Sequence, residues 1–491
     1  MTDQPLDSRS AWQFGLATVV VTAAMSYFAG GLHPVWWLGW IAPLPALVLA
    51  PRIGKLAAFL VSFAGWVLGG FSWWNYLHVV IRLPLSVFVL AVVSAAVVFG
   101  LGVLLSRAFL LRGSLWRAAL ALPSVWVTFE YLNAVTSPHS TFSNLAYTQM
   151  DFLPLLQVAS VAGVWGIDFL LFFFPATIAA ILVSQSSASH KRRFAGIVGI
   201  LYIAVLSVGT LRLLSPPNPA EKVTVGLIAS DVRENAGTRP GEAGMAILAR
   251  YLDQVPSLAA QGAKTIIIPE KVADVADAEI PRMDQMFQSA AVQNHVDILV
   301  GIDHHVANGY LNEARFYRAD GQPVTTYVKH HLIPAFERRD RPGTSYSVFS
   351  DGATLHGIAI CKDMDFPALS RHYGKAGIAL LLVPAWDFGT DGWYHDRMAV
   401  MRGVENGFTV ARSAKEGLLT ISDPRARVIA QQHSDAAPFA SLVATIPITH
   451  VTTFYSIAGD WFAWINIAAL TCMLFVAFRR KQEFARASSA S

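Results

Sequence analysis

Charge is scarce in this chain, and cysteine scarcer. Of 491 residues only 14% are charged, against roughly 25% in ordinary soluble domains, which excludes a wholly water-soluble protein. A net charge of +4 is too small over this length to build the basic face that nucleic acid requires. Two cysteines, Cys361 and Cys472, exclude a disulfide scaffold. The chain has no phosphate-cradling glycine motif, no internal repeat and no low-complexity tract beyond an Ala/Ser-rich tail. What abounds is apolar: 54% of the residues are hydrophobic, and the mean hydropathy is +0.44.

The apolar residues are unevenly spread. They come in long blocks from Ala11 to Leu214 and again from Trp461 to Phe478, with ordinary composition between Glu221 and about His450. A hydrocarbon core about 30 Å thick needs roughly 20 apolar residues per helix. Eight stretches qualify as candidates, near 11–31, 34–50, 57–80, 85–106, 116–134, 159–184, 194–214 and 457–478. The second carries Pro43 and Pro45, and the fifth carries Pro123 and Glu130. A carboxylate at membrane depth is either functional or turned into the bundle.

The expected organisation is therefore a membrane bundle of seven helices over 1–215 and an α/β domain over 221–450. An eighth membrane helix over 455–480 and a tail over 481–491 complete it. Lys and Arg cluster in alternate short loops, at Arg52 and Lys55, at Arg107, Arg112 and Arg117, at Lys191 to Arg193, and at Arg479 to Lys481. The loops between them are nearly bare. The positive-inside rule then places both termini in the cytoplasm and the α/β domain outside it. In a bacterium this is a multi-pass protein of the inner membrane with a periplasmic domain. The polar N-terminus MTDQPLDSRS lacks a basic leader region, so the first helix is expected to be a retained anchor.

Within 222–450, short β-rich runs alternate with helical ones, which indicates an α/β domain with buried sheets. Three apolar strands end abruptly in chemistry-bearing residues. IIIPE ends at Glu270, VTTYVK at Lys329 and GIAIC at Cys361. Strand ends are where α/β sheets build their sites. Any one of these residues has a bland explanation; the combination points to nucleophilic catalysis. Glu270 would act as base towards Cys361, and Lys329 with the Lys362 backbone N–H would stabilise an oxyanion. A helix beginning near Phe366-Pro367, together with the Lys362 side chain, is expected to favour the Cys361 thiolate. Adjacent histidines on a strand face opposite ways, so His304-His305 and His330-His331 make no ready chelate, and neither metal nor cofactor is expected. Asp387, Asp391 and His395 fall near the site with no role assigned by their spacing.

The order Glu270, Lys329, Cys361, in the stretches IIIPE, YVKHHLIPAFE, ICKDMDFPALSRHYGKAGIALLLVPAWDF and MRGVENGFTVARS, resembles the Glu–Lys–Cys triad of the nitrilase (carbon–nitrogen hydrolase) superfamily. The resemblance implies an α-β-β-α sandwich, with Glu337 as a supporting second glutamate. PLLQVASVAGVWGIDFLL, PSVWVTFEYLNAV, HPVWWLGWIAPLPALVLA and FYSIAGDWFAW resemble the apolipoprotein N-acyltransferase family from end to end. That likeness implies an eight-helix bundle carrying the catalytic domain, working as a monomer. The implied reaction moves an acyl chain from a phospholipid through a Cys361 thioester to the α-amine of a diacylglyceryl-cysteine lipoprotein. Trp386, Phe388 and Phe336 are expected to contact substrate, and Phe71, Trp73, Trp74 and Tyr76 form either a lipid entrance or an interfacial aromatic belt. The chain departs from the family pattern at Lys362-Asp363, where Tyr-Glu is usual, at Ala335-Phe336-Glu337, where Phe-Gly-Glu is usual, and at PAWDFGTDGW. DVRENAGTRPGEAG also lacks the tryptophan of the family's early loop. The rival readings are another amine acceptor, a membrane-tethered amidase, and a catalytically idle module that binds lipid or lipoprotein.

Overall fold

The computed structural model describes residues 8–215, 221–232, 240–334, 336–352 and 354–489. Residues 233–239 of the early loop DVRENAGTRPGEAG and Ala335 fall outside these residues, as does the end of the expected tail. The chain divides into two compact units. One holds the membrane helices; the other spans Leu214–Ile457 together with the short segment Ser137–Phe142.

In the first unit, seven helices among the described residues are long and apolar enough to cross a membrane. The expected span at 34–50 is not one of them. It folds as a 3-10 turn Trp36–Trp40, a six-residue helix Leu44–Leu49 and a second 3-10 turn Ala50–Arg52. Pro43, Pro45 and Pro51 lack the N–H that a continuous helix needs, and six residues rise only about 9 Å. Arg107 satisfies the carbonyls this break leaves open, donating to Ala50 O at 2.8 Å and Ile53 O at 2.9 Å. The stretch at 159–184 is also divided, at Gly163 with φ +63°, into Ala159–Ala162 and Val164–Val183. The expected span at 57–80 runs as helix only to Gly70 and then tightens and loosens through Phe71–Trp73 and Asn75–Val80. There Phe71 stacks with Trp74 at 5.9 Å, and Trp74 meets Phe88 edge-on at 5.2 Å. Glu130 is buried, and the Asn144 amide bridges it to Asp168, at 3.2 and 2.6 Å.

The second unit is two stacked sheets with helices on both outer faces. Its seven-stranded sheet holds β1 (Glu221–Ala229), β2 (Thr265–Ile267), β3 (Asp274–Ala276), β4 (Asp297–Val306), β5 (Gly309–Tyr317), β6 (Thr325–Val328) and β13 (Ala440–Ile448). The six-stranded sheet is formed by β7 (Ser347–Asp351), β8 (Thr354–Ile358), β9 (Leu380–Trp386), β10 (Thr409–Lys415), β11 (Leu418–Ser422) and β12 (Val428–His433). The period-2 alternation of strands explains the layering. Ile267, Leu299, Ile358, Leu380 and Leu382 point into the core between the sheets. Their neighbours Ile266, Ile268 and Ile298 face the helices Glu242–Leu252 and Ile280–Asn294, while Leu381 and Val383 face Pro367–Ala376 and Gly392–Asn406. Each such buried aliphatic side chain contributes about 1.5–3 kcal/mol of transfer free energy, so strands apolar on both faces are fixed in register. β5 and β6 pair antiparallel as a hairpin. β10, β11 and β12 pair in succession antiparallel, and β13 follows to pair antiparallel with β1.

Candidate active site

The site is assembled where β2, β6, β8 and β9 end. Beyond β2 the chain turns at Pro269-Glu270, and β4 passes directly beneath it at Gly301. A Cβ on Gly301 would lie 2.6 Å from Glu270 Cα, so only glycine allows the approach. Glu270 N donates to Ala385 O at the end of β9, 3.3 Å away, linking the two sheets. Lys271 then takes φ +46°, a left-handed conformation that costs a non-glycine residue roughly 1–2 kcal/mol.

Glu270 is 3% exposed and Lys329 fully buried. Glu270 Oε1 accepts from Lys329 Nζ at 2.7 Å and from Asn312 Nδ2 at 2.5 Å. Glu270 Oε2 is buried and has no hydrogen-bond partner among the described residues. Glu337 completes the group: Lys329 Nζ lies 3.1 Å from its Oε2, and Asn312 Nδ2 donates to its Oε1 at 2.6 Å. The Ile333 N–H fixes Glu337 from its own turn at 2.7 Å. Burial alone would lower the Lys329 pKa, but Glu270 and Glu337 outweigh it and hold the ammonium charged well above its usual range. Burial likewise favours a neutral Glu337, and Lys329 with Lys271 overcomes it, keeping the carboxylate ionised.

Cys361 follows β8 at φ +42° and is 8% exposed. Its sulfur donates to Trp386 O at 3.5 Å. Asp363 holds this turn in place. Its Oδ2 accepts from Ile360 N and Tyr327 OH, at 3.1 and 2.7 Å. Its Oδ1 accepts from the His330 and His331 backbone N–H groups, at 3.2 and 2.9 Å. One fully buried carboxylate thus ties the Cys361 turn to the chain leaving Lys329. This is the structural use of the acid in the Lys362-Asp363 pair.

The expectation of a resting thiolate is overturned. Burial pushes the Cys361 thiol well above its ordinary pKa, and Glu270 adds to the rise; Lys329 opposes it without reversing it. Two structural reasons underlie this. The 3-10 turn Cys361–Asp365 intervenes before the helix Pro367–Ala376, so that helix does not begin at the sulfur. The Lys362 ammonium also turns away, to Asp365 Oδ2 at 2.9 Å and His139 Nδ1 at 3.2 Å. Burial and Lys362 lower the His139 pKa to about 4, so its ring nitrogen accepts this bond at neutral pH. The segment carrying His139 is held further by Thr141, whose N and Oγ1 both reach Asp365 O, at 3.3 and 2.6 Å.

Of the expected substrate contacts, Trp386 supplies the carbonyl under Cys361, and Phe336, 54% exposed, pairs its ring with Phe388 at 5.1 Å. Asp387 forms a buried two-point ion pair with Arg412, at 2.5 and 2.9 Å, and His395 pairs with Asp391 at 3.1 Å. His304 bonds Glu313 and Asp277, at 2.7 and 2.8 Å. Its neighbour His305 faces Asp274 at 3.6 Å. Asp274, Asp303 and His305 bring ligand atoms within 4.8 Å of one another, but the Lys271 ammonium already lies 3.4 Å from Asp303. Sequence reasoning passed over Asn312, Arg412 and Lys415, and noted Asp363 only as a departure from the family pattern. Asn312 alone left a signal, an amide in the middle of a strand, where asparagine is depleted.

Comparison with known proteins gives two family matches. The apolipoprotein N-acyltransferase N-terminal domain matches residues 17–177, and the carbon-nitrogen hydrolase family matches residues 245–447. The chain is 26% identical to an apolipoprotein N-acyltransferase of Geobacter metallireducens, over 94% of each chain. It is 26% identical to that of Vibrio parahaemolyticus, over 92% of this chain and 94% of the relative. The corresponding protein of Gloeobacter violaceus is 23% identical over 91% of each. Among solved structures, an amidase from Nesterenkonia sp. aligns with 50% of this chain and 98% of its own, at 17% identity and a TM-score of 0.41.

Proposed function

Because the chain belongs to the apolipoprotein N-acyltransferase family, we propose that Glu270, Lys329 and Cys361 move an acyl chain from a phospholipid to the N-terminal amine of a diacylglyceryl-cysteine lipoprotein. The observation that carries the reading is the Glu270 carboxylate: one oxygen is fixed by Lys329 and Asn312, and the other is buried and unpartnered. An oxygen held in that way is a base in waiting. It suits a thiol that burial keeps protonated, since the proton must leave as the sulfur attacks.

In the first half-reaction Cys361 gives its proton to Glu270 Oε2, and the sulfur adds to the ester carbonyl. The tetrahedral oxyanion is met by Lys329 and by the backbone N–H of Lys362. That N–H lies in the first turn of the 3-10 segment, where no acceptor within the turn exists. The carbon–oxygen bond breaks, Glu270 returns the proton to the departing alkoxide, and a lysophospholipid leaves an acyl thioester. In the second half-reaction the acceptor amine attacks the thioester, Glu270 takes its proton, and the thiol is regenerated as the amide forms. Glu337 keeps Lys329 charged throughout. Phe336 and Phe388 offer an apolar surface for an acyl chain, with Trp386 beside the sulfur.

Seven crossings would leave the termini on opposite sides, but the helices flanking the broken stretch at 34–50 run parallel, Gly65 against Thr22 and Gly69 against Ser26, so that stretch returns the chain and counts as an eighth. With it, the alternation of basic and bare loops supports both termini in the cytoplasm and a periplasmic catalytic domain. The end of the apolar blocks at Leu214 and their return at Trp461 support the divisions 1–215, 221–450, 455–480 and 481–491. The test is incubation of purified protein with phospholipid labelled in its acyl chain, without acceptor. Label trapped on Cys361, and lost in Cys361→Ala, is the expected result. Rapid release of free fatty acid would instead favour an amidase-like hydrolase, and no label would favour a lipid-binding module. Complementation of a strain depleted of its own lipoprotein N-acyltransferase decides between the lipoprotein and another amine acceptor.

A further inference from the structure

Lys415 ends β10 and is 1% exposed. Its register partner in β9 is Trp386, whose carbonyl accepts the Cys361 thiol. The ammonium lies 3.4 Å from the centroid of the Trp386 indole ring, whose face attracts a cation. It also donates to the Lys271 carbonyl at 2.8 Å. Lys271 directly follows Glu270 and holds a left-handed φ of +46°. A single buried cation therefore touches the residue after the carboxylate and the residue that orients the sulfur.

Resting on the acyltransferase reading above, we propose that Lys415 is a positioning residue for acyl transfer, its ammonium pinning the Glu270–Lys271 backbone and the Trp386 indole so that base and nucleophile stay aligned. Charge does this more than bulk. A neutral amine still donates one hydrogen bond but loses its attraction to the indole face and to Glu270. The charged groups facing Lys415 are Glu270, Glu416, Lys271 and Asp274. Burial lowers the Lys415 pKa to about 8, with Glu270 and Glu416 pulling the other way. The side chain is thus charged below about pH 8 and neutral above it.

The test uses the full-length protein in micelles of phospholipid labelled in its acyl chain, without amine acceptor, so that no substrate amine titrates. The rate of labelling at Cys361 is followed from about pH 6 to 9.5. The wild-type rate is expected to fall as pH rises through about 8. Lys415→Arg, which stays charged, moves that fall beyond the range. Lys415→Met labels about tenfold more slowly at neutral pH and shows no fall near 8. A flat wild-type profile, which needs no variant and so no folding control, would overturn the proposal. So would equal slowing in the Arg and Met variants, which would mean that shape matters and charge does not. Normal wild-type labelling with an unchanged Lys415→Met profile removes this inference alone. No label on wild-type Cys361 at any pH removes the acyltransferase reading and this inference with it.

Discussion

The chain uses an asparagine amide between two buried carboxylates in both of its units. In the catalytic unit Asn312 joins Glu270 to Glu337; in the membrane unit Asn144 joins Glu130 to Asp168. The difference is the cation. Lys329 lies between the first pair, at 2.7 and 3.1 Å, whereas no salt bridge reaches Glu130 or Asp168 among the described residues. The amide alone supplies hydrogen bonds that lock elements together. Each pair also keeps one buried carboxylate oxygen without a hydrogen-bond partner among the described residues, Glu270 Oε2 and Asp168 Oδ1, but only in the catalytic unit does an ammonium lie beside the carboxylate that carries it. On the proposed chemistry, the lysine is what separates a reactive motif from a structural one.

Four experiments bear on this contrast. The largest effect is expected from Glu270→Gln, which keeps the shape and removes the base; labelling of Cys361 should fall by at least about 10³-fold. Lys329→Met comes next, slowing labelling by about 10²–10³-fold. It also leaves Glu270 buried without its ion-pair partner, Glu337 keeping Lys271 at 3.6 Å, so the catalytic unit should lose about 3–5 kcal/mol in denaturant melts. Asn312→Leu keeps the cation and removes the bridge. About tenfold slower labelling and a loss of about 1–3 kcal/mol are expected. The smallest catalytic effect belongs to Asn144→Leu, which should lower the melting temperature in detergent yet leave the rate per folded enzyme unchanged. Equal slowing by Asn144→Leu and Asn312→Leu would dissolve the distinction between the two motifs.

Much of this was readable in advance, for definite reasons. Ile266 to Ile268 and Leu380 to Val383 are apolar on both faces because helices cover one side of each sheet and the partner sheet covers the other. Such runs announce buried strands and make the residues at their ends conspicuous. That is how Glu270, Lys329 and Cys361 came to notice. Asp363 and Lys415 stayed hidden because a polar residue in a turn or at a strand end looks solvated until its partners are known. Besides Ile360, those of Asp363 lie 32 to 36 residues away, and those of Lys415 include Lys271, 144 residues away. The resting state of the thiol was misread for a similar reason. A nearby helix and an adjacent lysine suggested a thiolate, but burial and the direction of the Lys362 side chain exist only in three dimensions. The broken span at 34–50 shows the limit of hydropathy, which counts apolar residues and is blind to the missing N–H groups of Pro43, Pro45 and Pro51.

The pairing of β1 with β13 has a consequence for how such a chain is put together. Glu221 sits opposite Ile448, so the polypeptide comes into the catalytic unit and goes out of it on neighbouring strands, about 5 Å apart. The long stretch of this unit, Leu214–Ile457, therefore closes on itself, its two ends brought together by one sheet. During synthesis its first strand must wait, one edge bare, until the ribosome delivers the last.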